Sequence, residues 1–263
     1  DKYAPDVVAD LNSAVWDAIR VNGKLYGIPL QQIYVRQTGI RFNTELLNKY
    51  GFDPSTVKTL DDLDEYAATI KASEPDAVVI YNYGHLIYEN MVNYLGYDVI
   101  VSNTTPGVVY YAAETPVVFN QFESEEFKAL CEKMREWNLA GYFPTDAVTG
   151  ADSVGENDIR AIDTDPAHKP GGDITEGQLR GYDITGIAFG DCAMTTGAVQ
   201  ATITAVSATS KNVERAVAFI NLLDSDPEVL NLICHGIEGT DYEFVGDKAD
   251  GLIKPISDCL LYT

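Results

Sequence analysis

The sequence has little positive charge, and it lacks long apolar runs. Only 18 Lys and Arg stand against 40 Asp and Glu, which leaves a formal net charge of −22 over 263 residues. Because nucleic acids and anionic membranes repel such a chain, neither is an expected partner. No run of about 18 apolar residues that could span a membrane occurs. The polar start Asp1-Lys2-Tyr3 has no signal-peptide core, so we expect an exported protein to be present here as a mature or trimmed chain.

Residues that bind metals or form disulfides are few and scattered. The three histidines are His85, His168 and His235, and the four cysteines are Cys131, Cys192, Cys234 and Cys259. No Cys-x-x-Cys pair and no zinc-ligand spacing occurs, and both free thiols and two disulfides in three connectivities stay open. We therefore predict no metal site and no cofactor.

One acidic pattern hints at calcium. The run Asp163-Thr164-Asp165 has Asp173 nearby, but an EF-hand loop also needs a glycine and a terminal glutamate at fixed positions. Both are missing. Residues 145–181 are rich in Asp, Gly and Pro, and we interpret them, with this run, as a long exposed surface excursion.

Motifs of catalysis and nucleotide binding are also absent. The sequence has no Gly-x-Gly-x-x-Gly, phosphate loop, His-Glu-x-x-His or Gly-x-Ser-x-Gly. Its 40 carboxylates must include close pairs, and a glycosidase needs two of them across one sugar ring. A carbohydrate-active hydrolase therefore stays open as an alternative, while binding without chemistry is favoured.

Segments of helix and strand character alternate along the chain, which predicts an α/β fold with a mostly parallel sheet and flanking helices. Strands are predicted at 25–30, 33–42, 77–81, 184–189 and 201–207, and a hairpin at 108–111 and 117–119. Helices are predicted at 6–20, 44–50 and 86–95, and after the N-caps Thr59, Ser124 and either Ser210 or Asn212. Gly51 should close the helix 44–50. Trp137 lies in register with the apolar stripe of its helix, so we expect it in the core.

Tyrosine is abundant, with 16 residues, and five tyrosines surround the end of the predicted strand 77–81. They are Tyr81, Tyr83, Tyr88, Tyr94 and Tyr97, and Asn82 and His85 lie among them. Ligands of α/β proteins gather at the carboxyl ends of strands. A tyrosine offers an apolar ring and a hydroxyl, which suits a sugar, although packing in the core is the alternative for each ring.

Four segments carry a resemblance to a known family. NGKLYGIPLQQIYVRQTGIRFNTELL (22–47) resembles the hinge region of extracellular solute-binding proteins, family 1 type, and the continuation to residue 76 resembles a further stretch of that family. EWNLAGYFPTDA (136–147) and SATSKNVERAVAFINLLDSDPEVLNLICHGIEGTDYEFV (207–245) follow in the order of that family. The last segment is similar to the sugar-binding lipoprotein subgroup of Gram-positive bacteria.

The resemblance implies a type II periplasmic-binding-protein-like fold, in which two α/β lobes close on a solute. It predicts a remnant of lobe 1 at 1–30, lobe 2 at 31–193, a return segment of lobe 1 at 194–225, and a C-terminal segment near the hinge at 226–263. The first lobe of the family begins long before residue 22, so we expect an incomplete N-terminal lobe.

The function implied by the resemblance is capture of a small solute, a sugar or oligosaccharide, for an ABC permease in the membrane. The expected location is extracytoplasmic, with a lipid anchor through an N-terminal part outside this sequence. The open alternatives are the hydrolase and a surface sensor or adhesion protein on the same fold.

The candidate ligand-binding residues come from the resemblance together with strand alternation. Gln32, Tyr34 and Arg36 alternate after the first crossing and so share one side of a strand. Arg36 would fork onto hydroxyls or a carboxylate, or else form a surface ion pair. Thr195, Thr196 and Gln200 lie near the return crossing. The full predicted set is Gln32, Tyr34, Arg36, Tyr81, Tyr83, His85, Tyr88, Thr196 and Gln200.

Overall fold

The computed structural model describes residues 2–30, 34–81, 94–144, 158–169, 171–248, 251 and 253–256. The chain divides into two compact units. Unit 1 consists of Asp1–Gln32 and Val199–Thr263, and unit 2 is Ile33–Ala198. The assignment of segments to family lobes stays a prediction.

The described elements are numbered in chain order. The strands are β1 (Ile28–Pro29), β2 (Val35–Asn43), β3 (Val78–Tyr81), β4 (Tyr97–Val99), β5 (Gly107–Tyr110), β6 (Phe119–Asn120), β7 (Arg160–Asp165), β8 (Ile184–Met194), β9 (Ile203–Thr204), β10 (Tyr242–Phe244) and β11 (Ile253–Pro255). The α-helices are α1 (Pro5–Asp10), α2 (Ser13–Ala18), α3 (Thr44–Tyr50), α4 (Asp64–Ser73), α5 (Glu125–Leu139), α6 (Gly172–Arg180), α7 (Thr196–Gln200), α8 (Val213–Ser225) and α9 (Pro227–His235).

The main sheet of unit 2 has the strand order β3-β7-β2-β8 among the described residues. Strands β3 and β7 are parallel, whereas β2 is antiparallel to both β7 and β8. The α/β class is confirmed, but the prediction of a mostly parallel sheet is wrong in detail, because the sheet is mixed. Alternation of helices and strands along a sequence does not fix the direction in which distant strands pair, and β2 and β7 are far apart in the chain.

The core of unit 2 lies on one face of this sheet. Ile40 and Phe42 alternate along β2 and are fully buried, as are Ile80 and Ile162 on β3 and β7. Tyr66 and Ile70 of α4, together with Leu130 and Trp137 of α5, cover them. Trp137 is 3% exposed, and its indole Nε1 donates to Asp64 at 2.6 Å, which confirms the predicted core position.

Helix ends in unit 2 follow the sequence signals. The helix 44–50 is confirmed at its predicted bounds, with Asn43 accepting from the amide of Leu46 and Gly51 ending it at φ 66°. Ser124 accepts from the amide of Phe127 and begins α5, as predicted. After Thr59 the chain first forms a 3-10 turn, and α4 continues from it. Local capping chemistry therefore sets these boundaries.

The predicted hairpin is confirmed as β5 and β6, which pair antiparallel and are joined by β4 into a small three-stranded sheet. Tyr97 and Val108 are fully buried on one of its faces. Most of the helix predicted at 86–95 falls at residues 86–93, outside the described residues.

The interpretation of 145–181 as an exposed excursion is wrong for its second half. Residues 160–165 form β7 and residues 172–180 form α6. Asp163 and Asp165 are buried, because arginines neutralise them and the strand lies inside the sheet. Residues 145–157 lie outside the described part of the chain.

Unit 1 also differs from the sequence prediction. The helix predicted at 6–20 is two short helices, since Asn12 accepts from the amide of Ala14 and begins α2 anew. Only two residues of the strand predicted at 201–207 form β9, which pairs with β1. The side chain of Asn221 in α8 accepts from the amides of Asp6 and Val7 and so fixes the start of α1.

Across the described parts of the chain, no helix has both the length and the apolar character needed to cross a bilayer. Cys131, Cys192 and Cys234 are free thiols, and Cys259 lies outside the described residues. Within the same ranges, no group of three or more His, Cys, Asp and Glu is arranged to hold a metal ion.

Candidate functional site

The ladder between β2 and β8 is irregular at one end. Arg36 pairs with Ala193 and Thr38 with Phe189, so that Gln37 stands opposite the three residues 190–192. Gly190 has φ 80° there, and a Cβ on it would lie 3.2 Å from the ring of Tyr94. Gln37 Nε2 donates to the carbonyl of Gly190 at 2.6 Å. A bulge of this kind turns side chains and backbone groups out of a regular ladder, and bulges often lie beside functional sites.

Side chains from β4 and from the end of β5 form hydrogen bonds to residues in the bulge or shortly after β8. Asp98 in β4 accepts from both the amide (3.1 Å) and the hydroxyl (2.9 Å) of Thr196 at the start of α7. Its second oxygen, Oδ1, is buried without a hydrogen-bond partner among the described residues. Buried carboxylate oxygens normally have a partner, so this atom has capacity for one more donor.

Tyr111 reaches the bulge from the end of β5. Its hydroxyl donates to Asp191 at 3.5 Å. Burial and the neighbouring Asp191 carboxylate raise the pKa of Tyr111, so the hydroxyl stays protonated at neutral pH. We call Gln37, Asp98, Tyr111, Asp191 and Thr196 the bulge cluster. It offers an amide, two carboxylates and two hydroxyls beside an aromatic ring, which is the chemistry that binds polyols.

Two residues of the predicted ligand set lie at the start of β2, next to Gln37 of this cluster. Tyr34 is half-buried directly before β2, and Arg36 lies within β2 opposite Ala193. Val35 pairs with Met194, which precedes Thr195 and Thr196. The structure thus brings Tyr34, Arg36 and Thr196 to the same end of the β2–β8 pair. Thr195 is buried, and its hydroxyl accepts from the amide of Ala198.

Tyr81 lies elsewhere in unit 2. It pairs with Asp163, which in turn pairs with Arg41. Arg41 lies six residues along β2 from Val35, a rise of roughly 20 Å. The guanidinium carbon of Arg160 lies 3.6 Å from the centroid of the Tyr81 ring, a cation–π contact. Tyr81 therefore does not join Tyr34 and Thr196 in one compact site.

The other predicted ligand residues are placed as follows. Gln200 is exposed in unit 1, and its amide Nε2 donates to the carbonyl of Ala18 at 2.7 Å. Gln32, Tyr83, His85 and Tyr88 lie outside the described residues. The assignment of these residues to ligand binding stays a prediction.

A second polar cluster lies on the face of the sheet opposite the core. Arg180 binds Asp163 at 2.5 Å and Glu176 at 2.7 Å, and Arg41 binds Asp165 at 3.0 Å. Burial by itself lowers the pKa of Arg180, but the Asp163 carboxylate more than offsets it, and the net pKa is raised. His168 Nδ1 lies 3.6 Å from Asp165. These carboxylates neutralise arginines, and we assign them to the fold rather than to ligand binding.

Sequence reasoning missed most of the bulge cluster, namely Gln37, Asp98, Tyr111 and Asp191. Asp98 and Thr196 are 98 residues apart, and Tyr111 and Asp191 are 80 residues apart. No local pattern marks such pairs. The only signal was Tyr111 at the end of a predicted strand.

No family model matches the sequence. The chain is 28% identical over 251 residues to a carbohydrate ABC transporter substrate-binding protein of Streptococcus pneumoniae, and the match covers 94% of this chain and 50% of that protein. The chain thus spans about half the length of the curated relative that it matches. The predicted resemblance to solute-binding proteins of ABC importers is confirmed by this similarity.

Solved structures agree with the sequence match. The chain has a TM-score of 0.79 and 26% identity to the N-glycan transport solute binding protein (NgtS) from S. pneumoniae, over 93% of this chain and 53% of that one. The structure of NgtS in complex with Man1GlcNAc has a TM-score of 0.75 and 25% identity to this chain, and the match covers 97% of this chain and 56% of that one. An alginate-binding protein at TM-score 0.61 and 17% identity, over 97% of this chain and 54% of that one, shares the fold alone. The predicted periplasmic-binding-protein-like fold is confirmed.

Proposed function

We propose that this chain is part of an extracytoplasmic receptor that captures an oligosaccharide and delivers it to an ABC importer. The observation that carries the proposal is the similarity over 94% of the chain to a carbohydrate ABC transporter substrate-binding protein. Proteins similar to this chain are binding proteins of transporters, and we propose that this chain likewise binds its solute without reacting with it. A membrane permease and a lipid anchor belong to the same proposal.

The proposed solute class is a neutral glycan that contains mannose and N-acetylglucosamine. Structures of NgtS with Man1GlcNAc and Man5GlcNAc are 25% and 26% identical to this chain. The net charge of −22 supports a neutral rather than an anionic glycan, since anions would be repelled.

We propose that the bulge cluster, with Tyr34 and Arg36, contacts this glycan. Each sugar hydroxyl can donate one hydrogen bond and accept others, and the cluster supplies both partners. The exposed Asp191 carboxylate would accept from a hydroxyl, while the Thr196 and Tyr111 hydroxyls are already oriented by Asp98 and Asp191. Side chains oriented before binding lose little entropy when the ligand arrives, which favours affinity.

Calorimetric titration of the chain with the mannose–N-acetylglucosamine disaccharide and with Man5GlcNAc tests the proposal. We expect saturable binding of at least one of them, and mass spectrometry after overnight incubation should find both glycans intact. Thr196→Val removes one hydroxyl at nearly constant volume and should weaken binding about threefold to tenfold, the range of one hydrogen bond.

Thr69→Val is the matched control. Thr69 lies in α4 of the same unit, where its hydroxyl donates a hydrogen bond to the Glu65 carbonyl. The Thr69→Val substitution should leave the affinity for the glycan unchanged. A folded chain that binds neither glycan would contradict the proposed solute class. Shortened glycan products would favour the hydrolase instead.

A further inference from the structure

A groove in unit 2 lies apart from the bulge cluster, between the hairpin β5–β6 and the start of α5. Its volume is about 750 Å³, within the usual range for ligand sites. The residues that line it include Tyr110, Val117, Phe119, Asn120, Glu123 and Glu126. We call this the Tyr110 groove.

Aromatic rings form the floor of the Tyr110 groove. Tyr110 and Phe119 stack, with ring centroids 4.6 Å apart at an interplanar angle of 26°, and Tyr97 meets Tyr110 edge-on at 5.4 Å. Tyr110 nevertheless stays 40% exposed. The Tyr110 hydroxyl donates to Glu126 Oε1 at 2.9 Å. Stacking holds the face of the Tyr110 ring, and the hydrogen bond holds its hydroxyl. The side chain is therefore ordered before a ligand arrives, so binding costs little side-chain entropy.

Acceptors and amide groups surround the floor. Asn120 Nδ2 donates to Glu123 Oε1 at 3.0 Å, and Glu123 and Glu126 are exposed. A carboxylate has about four acceptor positions, so both retain capacity for hydroxyl donors. Their charge repels an anionic ligand. The backbone amide of Phe127, near the start of α5, donates its hydrogen bond to the Ser124 hydroxyl and so is already used within the protein. Val117, 69% exposed, adds an apolar surface.

The Tyr110 groove and Asp98 lie on opposite faces of the small sheet. Tyr97 pairs with Tyr110, and the next residues, Asp98 and Val109, pair with each other. Because successive residues of a strand point to opposite faces, the two sites are separate.

We propose that the Tyr110 groove is a second glycan-contacting site, in which the apolar face of a neutral sugar ring packs on Tyr110 while its hydroxyls donate to Glu123 and Glu126. An aromatic floor with carboxylates at its edge matches the mixed polarity of a sugar and disfavours an anion. The inference rests on the proposed function only for the identity of the sugar.

The test is a titration of the ¹⁵N-labelled full chain with the mannose–N-acetylglucosamine disaccharide, followed by NMR chemical shifts. We expect two sets of shifts with different dissociation constants, one around Thr196 and one around residues 107–126. Tyr110→Ala should weaken the second set at least tenfold, because it removes the aromatic ring on which the sugar would pack, and should leave the first set unchanged. Tyr110→Phe keeps the stacked ring and should retain most of the affinity.

Tyr26→Ala removes a tyrosine of unit 1 that is more exposed than Tyr110, at 67% against 40%, and should change neither set. Shifts around Thr196 alone would overturn the inference and leave the proposed function standing. Shifts around 107–126 alone would support it and contradict the proposed role of the bulge cluster. Absence of shifts in both regions of the wild-type chain would overturn both, and an apolar peptide competing for the groove better than the disaccharide would overturn the inference.

Discussion

At the scale of single residues, the ion pair between Arg180 and Asp163 holds two charges that unit 2 buries. Both side chains are less than 10% exposed, at 7% and 8%. Removing one partner leaves an uncompensated buried charge, whose cost exceeds the net value of the pair. Arg180→Met should therefore lower the free energy of unfolding by about 3 kcal/mol. Urea unfolding, followed by Trp137 fluorescence in a Trp16→Phe background, measures unit 2 selectively.

The exposed pair Lys128–Glu125 in α5 of the same unit provides the matched control, with exposures of 64% and 90%. Lys128→Met should cost less than about 1 kcal/mol, because water already solvates both charges. The double variant Arg180→Met with Asp163→Leu should recover part of the loss. Equal costs for Arg180→Met and Lys128→Met would contradict the importance of burial.

The Asp62 carboxylate gives a pH dependence with a defined sign. It accepts from the amides of Lys58 at 2.9 Å and Thr59 at 2.7 Å, and these bonds lower the pKa of Asp62 below its usual value. A carboxyl whose pKa is lower in the folded state stabilises the fold above the unfolded pKa, and the contribution is lost as pH falls through the folded pKa.

Asp62→Asn should therefore lower the thermal midpoint at pH 7, and the difference from wild type should close as pH falls below the folded pKa of Asp62. Circular dichroism melts across that range measure the difference. A gap that stays constant with pH would show that the charge of Asp62 contributes nothing.

At the scale of elements, the end of α3 depends on the backbone of one glycine. Gly51 has φ 66°, and a Cβ placed on it would meet nothing within 4 Å. Any cost of Gly51→Ala is then purely conformational, about 1 kcal/mol, because alanine disfavours the left-handed region. Chemical denaturation measures it.

Gly197 in α7 is the control for this prediction. It also has open space for a Cβ, but its φ lies outside the left-handed region. Gly197→Ala should raise stability by about 0.4–1 kcal/mol, because alanine restricts the unfolded chain. If both variants destabilise alike, the left-handed conformation is not the cause.

At the scale of the whole molecule, the charge of −22 governs which partners the chain can meet. We expect no gel shift with DNA and no sedimentation with anionic vesicles at physiological salt, because both polyanions are repelled. Calcium should leave the thermal midpoint unchanged, since Asp163 and Asp165 already neutralise Arg180 and Arg41. A calcium-induced rise of the midpoint would point to a cation site.

The local features of this protein could be predicted from its residues alone. Helix α3 with its end at Gly51, the start of α5 at Ser124 and the core position of Trp137 were all predicted. They depend on residues three or four positions apart, whose chemistry a local pattern contains. The order of the recognisable segments also indicated the kind of protein.

Which distant segments meet could not be predicted from local patterns and is seen only in the folded chain. The direction of β2 against β7 places Arg41 opposite Asp163, and the fold places Asp98 beside Thr196. The same pairing of β2 with β7 buries Asp163 and Asp165, which the sequence pattern had indicated as part of an exposed loop. Local periodicity predicts which face of a segment is buried. It does not predict the partner strand or the register of pairing, because these follow from packing between residues tens to hundreds of positions apart.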